Sequence, residues 1–208
     1  STGNIFLVSK NDIKVHANTK GRPMGIAYSK KLNSLIAADA ARKSVLRISL
    51  GNASISVLCR EYEDMDLNGP SDLIITENEE IIFTDPIRNP FPNPCISPVY
   101  KIPKSNKIET FLTDLAFPSG IANIDSKVYI SETRANRLVV MEDNQSDEII
   151  EPQMFRRFAD PGYPDGITVD DDKNIYQTLP GIGAIAVINS DGEMTEIYHM
   201  ESWKPSNI

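Results

Sequence analysis

The chain has 208 residues, of which 21 are basic and 29 acidic for a formal net charge of −8, and 40% of it is hydrophobic. That length suits one domain or two at most, and the acidic balance argues against a nucleic-acid partner, because phosphate binding needs a basic face. No apolar run approaches the ~18–20 residues of a membrane span, and two cysteines and two histidines make neither a disulfide scaffold nor a zinc site built on several histidines.

In chain order, Gly3 to Asn18 reads as two strands. Arg22-Pro-Met-Gly-Ile-Ala27 then opens a pattern that returns as Gly69-Pro-Ser-Asp-Leu-Ile74, Phe117-Pro-Ser-Gly-Ile-Ala122, Tyr163-Pro-Asp-Gly-Ile-Thr168 and Lys204-Pro-Ser-Asn-Ile208. The prolines of these five segments stand 47, 48, 46 and 41 residues apart, the mark of an internal repeat. After each full copy comes a polar turn and a second apolar run: Leu35-Ile-Ala-Ala38, Ile81-Ile-Phe-Thr84, Val128-Tyr-Ile-Ser131 and Ile175-Tyr-Gln-Thr178. Two further alternating runs close the unit, such as Val45–Ile48 with Ser54–Leu58. In the last full unit they are Ala184–Ile188 and Met194–Tyr198, joined by the hairpin signal Asn189-Ser-Asp-Gly192. Period-2 alternation and turns every 8–12 residues predict strands throughout, with no helix.

Four strands per ~46 residues is the blade of a β-propeller, whereas a parallel β-helix has a shorter repeat and lacks these hairpins. The expected architecture is all-β, a single propeller domain. The outer strands of a first blade cover 3–18. Full blades follow over 22–60, 69–114, 117–160 and 163–200, and a further blade starts over 204–208. About four and a half blades are present. There is no basic segment followed by an apolar one of signal-peptide type, and a leader removed or never recorded fits equally. A soluble chain of unassigned compartment is expected from the lack of a membrane-span run.

Several residues stand apart from the repeat. Asp39, Asp85 and Glu132 end second strands, where a carboxylate either contacts substrate or caps the following turn through backbone N–H groups; repetition favours the cap. Arg134 can bind an anionic group or be a solvated turn residue, and Asp170-Asp-Asp172 reads as a polar hairpin tip rather than a calcium loop. Cys59 and Cys95 are two thiols or one bridge, and Asn52-Ala-Ser54 and Asn144-Gln-Ser146 fit the glycosylation sequon. The prolines between Pro86 and Pro98 exclude a central strand and fit a lid or an inert excursion. Trp203, lying between blades, is expected to pack on the neighbouring blade that this stretch of sequence lacks. No GxSxG elbow is present, and Ser-His-Asp chemistry would have to use His16 or His199, so nucleophile routes are poor.

Asn68-Gly-Pro-Ser-Asp-Leu73 running into Ile82-Phe-Thr-Asp-Pro86, Phe117-Pro-Ser-Gly-Ile121, Tyr129-Ile-Ser-Glu-Thr-Arg-Ala-Asn-Arg-Leu138 and Tyr163-Pro-Asp-Gly-Ile-Thr-Val-Asp170 resemble one family. It is the senescence-marker-protein, gluconolactonase and luciferin-regenerating-enzyme family of six-bladed propellers, and the resemblance covers residues 20–208. It implies a divalent-metal-dependent hydrolase of small lactones or esters, in which a metal-activated water attacks the carbonyl. One cation is implied, usually calcium, held by loops leading into the innermost strands. Matched by position, Asp165 is the retained metal ligand and the catalytic residue. The family's amides at two further ligand positions are here Ser119 and Ser71, and its glutamate lies upstream of Ser1. Ser71, Asp72, Glu132 and Arg134 are the implied contacts to a small-molecule substrate. The two serines equally favour an alternative, a non-catalytic propeller that binds a ligand or partner; a metal-free enzyme resembling strictosidine synthase is the third reading.

Overall fold

The alternating segments fold into antiparallel strands in a computed structural model, which describes residues 2–86, 96–143, 151–201 and 203–208. These form two compact units, the first of residues 2–86 and 98–113, the second built on 114–208 together with 96–97.

In the first unit, β1 (Asn4–Val8) and β2 (Ile13–Asn18) form a two-stranded sheet. A four-stranded meander follows from β3 (Pro23–Ser29), β4 (Ser34–Asp39), β5 (Ser44–Ser49) and β6 (Ile55–Cys59). A short ribbon, β7 (Glu61–Tyr62) with β8 (Met65–Asp66), leads to the sheet of β9 (Leu73–Ile75), β10 (Ile81–Thr84), β11 (Ser97–Ile102) and β12 (Glu109–Leu115). In the second unit, β13 (Pro118–Ile124), β14 (Lys127–Glu132), β15 (Arg137–Glu142) and β16 (Gln153–Arg157) make one sheet. The other consists of β17 (Ile167–Val169), β18 (Ile175–Leu179), β19 (Ala184–Ile188) and β20 (Met194–His199). The described residues contain no α-helix, only a 3-10 turn over Thr133–Ala135.

The second strand of each four-stranded sheet is largely apolar because both of its faces are covered. Ile36, Ala38, Ile81 and Phe83 are buried in the first unit beside Leu73, Tyr100 and Ile102, and Tyr129, Leu138, Ile167, Ile175 and Ile188 form the core of the second. The outermost strands alternate or face solvent, as in β20, which is exposed along its length. Trp203 is 74% exposed.

The glycine of the Pro-x-Gly repeat is explained by close approach of the next copy's Pro-x-Gly/Asp lead-in. A Cβ on Gly25 would lie 2.1 Å from Asp72 Oδ1, and one on Gly120 would lie 2.2 Å from the Asp165 carbonyl oxygen. A Cβ on Gly166 would lie 2.3 Å from Asn207 Oδ1. In each case the next copy of the repeat occupies the space a side chain would need. The β7–β8 ribbon was not evident from sequence because its turn residues, Glu63 and Asp64, adopt φ of 49° and 63° without being glycine or asparagine. Cys59 carries a free thiol. Cys95, Asn144-Gln-Ser146 and most of the proline-rich stretch lie outside the described residues.

Candidate functional site

The segments leading into the first strands carry most of the residues singled out by sequence. In the second unit β17 begins only at Ile167, so Pro164, Asp165 and Gly166 precede the regular ladder and other groups must hold them. The Asp165 N–H donates to the Thr178 carbonyl at 3.1 Å. Thr178 returns the bond, its N–H and Oγ1 both donating to the Gly166 carbonyl, at 2.9 and 3.0 Å. The Gly166 N–H donates to the Ser206 carbonyl at 3.0 Å.

Two buried side chains complete this hold. Gln177 is fully buried, and its Nε2 lies 3.2 Å from the Asp165 carbonyl and 3.1 Å from each of the Gly166 and Thr178 carbonyls. Its Oε1 accepts from the Ser131 hydroxyl at 2.7 Å. Ser119, also buried, sits with Oγ 2.8 Å from Thr133 Oγ1, 3.3 Å from the Pro164 carbonyl and 3.4 Å from the Asp165 carbonyl. Thr133 Oγ1 donates to the Pro164 carbonyl at 2.7 Å, which leaves the Ser119 proton for Thr133 Oγ1 or the two carbonyls. Sequence reading missed Gln177, Ser131 and Thr133. The available signal was the alignment of the repeats, which sets Gln177 against Ala37, Phe83 and Ile130.

Asp165 is half-buried. The donors near it are hard oxygens, the chemistry calcium takes and zinc does not favour. A hydroxyl that ligates a cation must send its proton elsewhere, and Ser119 has acceptors for that proton. The donor chemistry of Asp165 and Ser119 therefore fits a hard divalent cation. Among the described residues no three His, Cys, Asp or Glu side chains gather into a metal cage.

The first unit repeats the backbone scheme. The Ser71 N–H donates to the Thr84 carbonyl at 2.9 Å, the Asp72 N–H to Thr84 Oγ1 at 3.1 Å, and the Thr84 N–H to the Asp72 carbonyl at 3.0 Å. Ser71 is buried; Asp72 is half-buried and its Oδ1 accepts from the Leu73 N–H at 2.9 Å.

The carboxylates that end second strands face inward and cap. Asp39 Oδ1 accepts from the N–H groups of Arg22 and Arg42 at 2.7 and 3.0 Å. Asp85 accepts from the N–H groups of Asn68 and Gly69, both at 2.8 Å. Glu132 Oε1 accepts from the Ala116 N–H at 2.8 Å, while Oε2 pairs with Arg137 Nε. Glu132 is fully buried, so the substrate contact expected of it is replaced by a capping role: both oxygens are engaged within the fold. Arg134 is exposed on the 3-10 turn that follows, its N–H bonded to the Ala116 carbonyl. Two of the lead-ins hold aromatic residues at left-handed φ, Phe117 at 59° and Tyr163 at 51°, an arrangement that costs roughly 1–3 kcal/mol each and persists only where neighbours enforce it.

Asp170 accepts from the Asn174 side chain and N–H and from the Tyr176 hydroxyl, and the bond from the Asn174 side chain leads in holding its carboxyl below the ordinary range. These bonds make it the tip of the β17–β18 hairpin. Two surface cavities of about 350 and 530 Å³ lie in the first unit, against Cys59, Arg60 and Ile102 and against Tyr62, Ser105 and Lys107. Neither is lined by a residue singled out as a ligand or substrate contact.

A profile of the SMP-30/Gluconolactonase/LRE-like region matches residues 3–208. The gluconolactonase of Zymomonas mobilis subsp. mobilis is 22% identical over 174 residues, covering 75% of this chain and 48% of that protein. The chain thus spans about half the length of the curated relative it matches. A solved gluconolactonase structure from Xanthomonas campestris superposes with a TM-score of 0.80 at 22% identity, covering 94% of this chain and 67% of that one. Virginiamycin B lyase of Staphylococcus aureus, in a catalytically inactive form, superposes with a TM-score of 0.67 at 20% identity, covering 97% and 61%. These likenesses show the fold, the four-stranded blades of a six-bladed propeller type at partial coverage. That one fold hosts a lactonase and a lyase keeps activity a matter of the site.

Proposed function

The chain belongs to the SMP-30/gluconolactonase/LRE-like family, and on that premise we propose that it serves a hydrolase of small lactones or esters working with one divalent cation, calcium by the chemistry of its donors. The observation that carries this reading is Asp165, a half-buried carboxylate in the Pro-Asp-Gly lead-in whose backbone is tied on both sides, through its N–H to Thr178 and through its carbonyl to Gln177.

Asp165 is assigned to the cation as its charged ligand. Ser119 contributes its hydroxyl oxygen, with the proton turned toward Thr133 or the Pro164 and Asp165 carbonyls. Ser71 holds the equivalent repeat position in the first unit, with Asp72 beside it. Arg134, exposed and permanently charged, is assigned to an anionic group of the substrate, which guanidinium binds with two parallel bonds. When bound, a divalent cation polarises a carbonyl and lowers the pKa of water, which supplies the nucleophile. Glu132 acts at one remove, holding Ala116 and Arg137.

Calcium titration by calorimetry on the full-length protein, repeated with Asp165→Asn, tests the reading. The expected result is saturable binding that the substitution weakens by about tenfold or more, followed by turnover on a panel of lactones. Absence of binding at millimolar calcium would overturn it. The remaining account would be a non-catalytic propeller, which the hydroxyls of Ser71 and Ser119 in place of stronger amide oxygens favour.

A further inference from the structure

We infer that Gln177 is a positioning residue for Asp165: a buried amide that fixes the peptide from which the cation-binding carboxylate projects. This rests on the assignment of Asp165 to the cation. Gln177 occupies the third place of the second-strand run, where the other three copies of the repeat carry Ala37, Phe83 and Ile130, all fully buried or nearly so. A long amide in an apolar position costs free energy unless each of its groups is bonded. Here they are: Nε2 faces the carbonyls of Asp165, Gly166 and Thr178, and Oε1 takes the Ser131 proton. Three of those four partners belong to the lead-in or to the residue that holds it.

The placement answers a specific need. β17 begins at Ile167, so the Asp165–Gly166 peptide precedes the ladder, and Gly166 has no side chain to restrict it. Gln177 makes the shorter of two side-chain contacts to the Asp165 carbonyl, 3.2 Å against 3.4 Å from Ser119. Without it the Gly166 N–H would still be held by the Ser206 carbonyl, so the loosening falls on the carbonyl end of the peptide, next to the Asp165 Cα that carries the carboxylate. Ser131 acts one step further back, holding the amide so that its Nε2 points at the lead-in rather than away from it. Groups that orient a metal ligand are routinely as sensitive to mutation as the ligands.

The experiment is calcium calorimetry with thermal unfolding on the full-length protein. Gln177→Met keeps the volume and restores the apolar character of the other repeats; it is expected to weaken calcium about 10–100-fold. Ser131→Ala releases only Oε1 and is expected to weaken calcium about threefold, and Ser131→Thr, which keeps a hydroxyl, is expected to restore it. A residue that merely supports the fold would move the unfolding midpoint and leave affinity alone. If Gln177→Met folds and binds calcium as the parent does while Asp165→Asn binds weakly, the positioning role is overturned and the metal reading stands. If Asp165→Asn also binds as the parent does, the assignment of Asp165 falls and takes the role with it. Should Gln177→Met fail to fold, unchanged affinity in Ser131→Ala overturns the role.

Discussion

In three of the four-stranded sheets, the second strand ends in a carboxylate that reaches back to the segment leading into the first strand: Asp39, Asp85 and Glu132. In the sheet of β17–β20 the same place holds Leu179, which is buried in the core of the second unit. The lead-in there is served from elsewhere. Its Tyr163 N–H donates to Asn136 Oδ1 at 2.7 Å, its Gly162 N–H to the Ala159 carbonyl at 2.8 Å, and its inner end is held by Gln177. The repeat thus preserves the satisfaction of buried backbone donors and not the identity of the residue that satisfies them. The sheet that departs from the carboxylate cap is also the one whose lead-in carries Asp165.

The largest expected effect comes from forcing the pattern onto the exceptional sheet. Leu179→Glu places a carboxylate where the nearby donors are already bonded, and is expected to destabilise by about 4 kcal/mol in urea unfolding. Parent-like stability would mean that the lead-in can rearrange to use it. The reverse change, Glu132→Leu, strands the Ala116 N–H and the Arg137 guanidinium at a cost of about 3 kcal/mol; Arg137 is partly exposed and recovers some hydration. A larger loss for Glu132→Leu than for Leu179→Glu would break the comparison.

Asn136→Ala removes the substitute cap on Tyr163, together with the amide bond to Asp160, and is expected to cost about 1.5 kcal/mol by the same measurement. The smallest effect is read by pH. Burial, with Asp85 adding repulsion, pushes the Tyr100 hydroxyl up to about 12. The folded state therefore favours neutral Tyr100. Its contribution is whole below the unfolded pKa near ~10 and is lost as pH rises through about 12. Asp85→Asn should lower the tyrosinate titration midpoint of Tyr100 without returning it to the ordinary value, since burial is the larger cause.

Much of this fold was legible in the residues. The runs Leu35–Ala38, Ile81–Thr84, Val128–Ser131 and Ile175–Thr178 lie within β4, β10, β14 and β18, and Asn189–Gly192 turns β19 into β20. Strands with both faces covered leave largely apolar runs, and hairpin turns leave glycine and asparagine, so both are written locally. The capping role of Asp39, Asp85 and Glu132 was legible for the same reason, by its repetition. The β7–β8 ribbon was not, because Glu63 and Asp64 take left-handed backbone angles that their residue types do not announce.

Sequence alone determined the strand order, the period of the blades, the family motifs and the position of Asp165 within them, since each depends on neighbours along the chain. It also marked the glycines of the repeat, though not what excludes a side chain from Gly25 or Gly120. Tertiary structure decided that, by bringing the next lead-in within 2.1–2.2 Å of the place a Cβ would take. It decided too that Glu132 is spent on a cap and that Ser119 shares its hydroxyl with the neighbouring sheet's lead-in. Gln177 shows the division most plainly: in sequence it is one polar residue in an apolar run, and only folding sets three carbonyls and a serine around it. Hydrogen bonds between residues 11 to 46 positions apart have no local signature, because their partners meet only when separate strands pack.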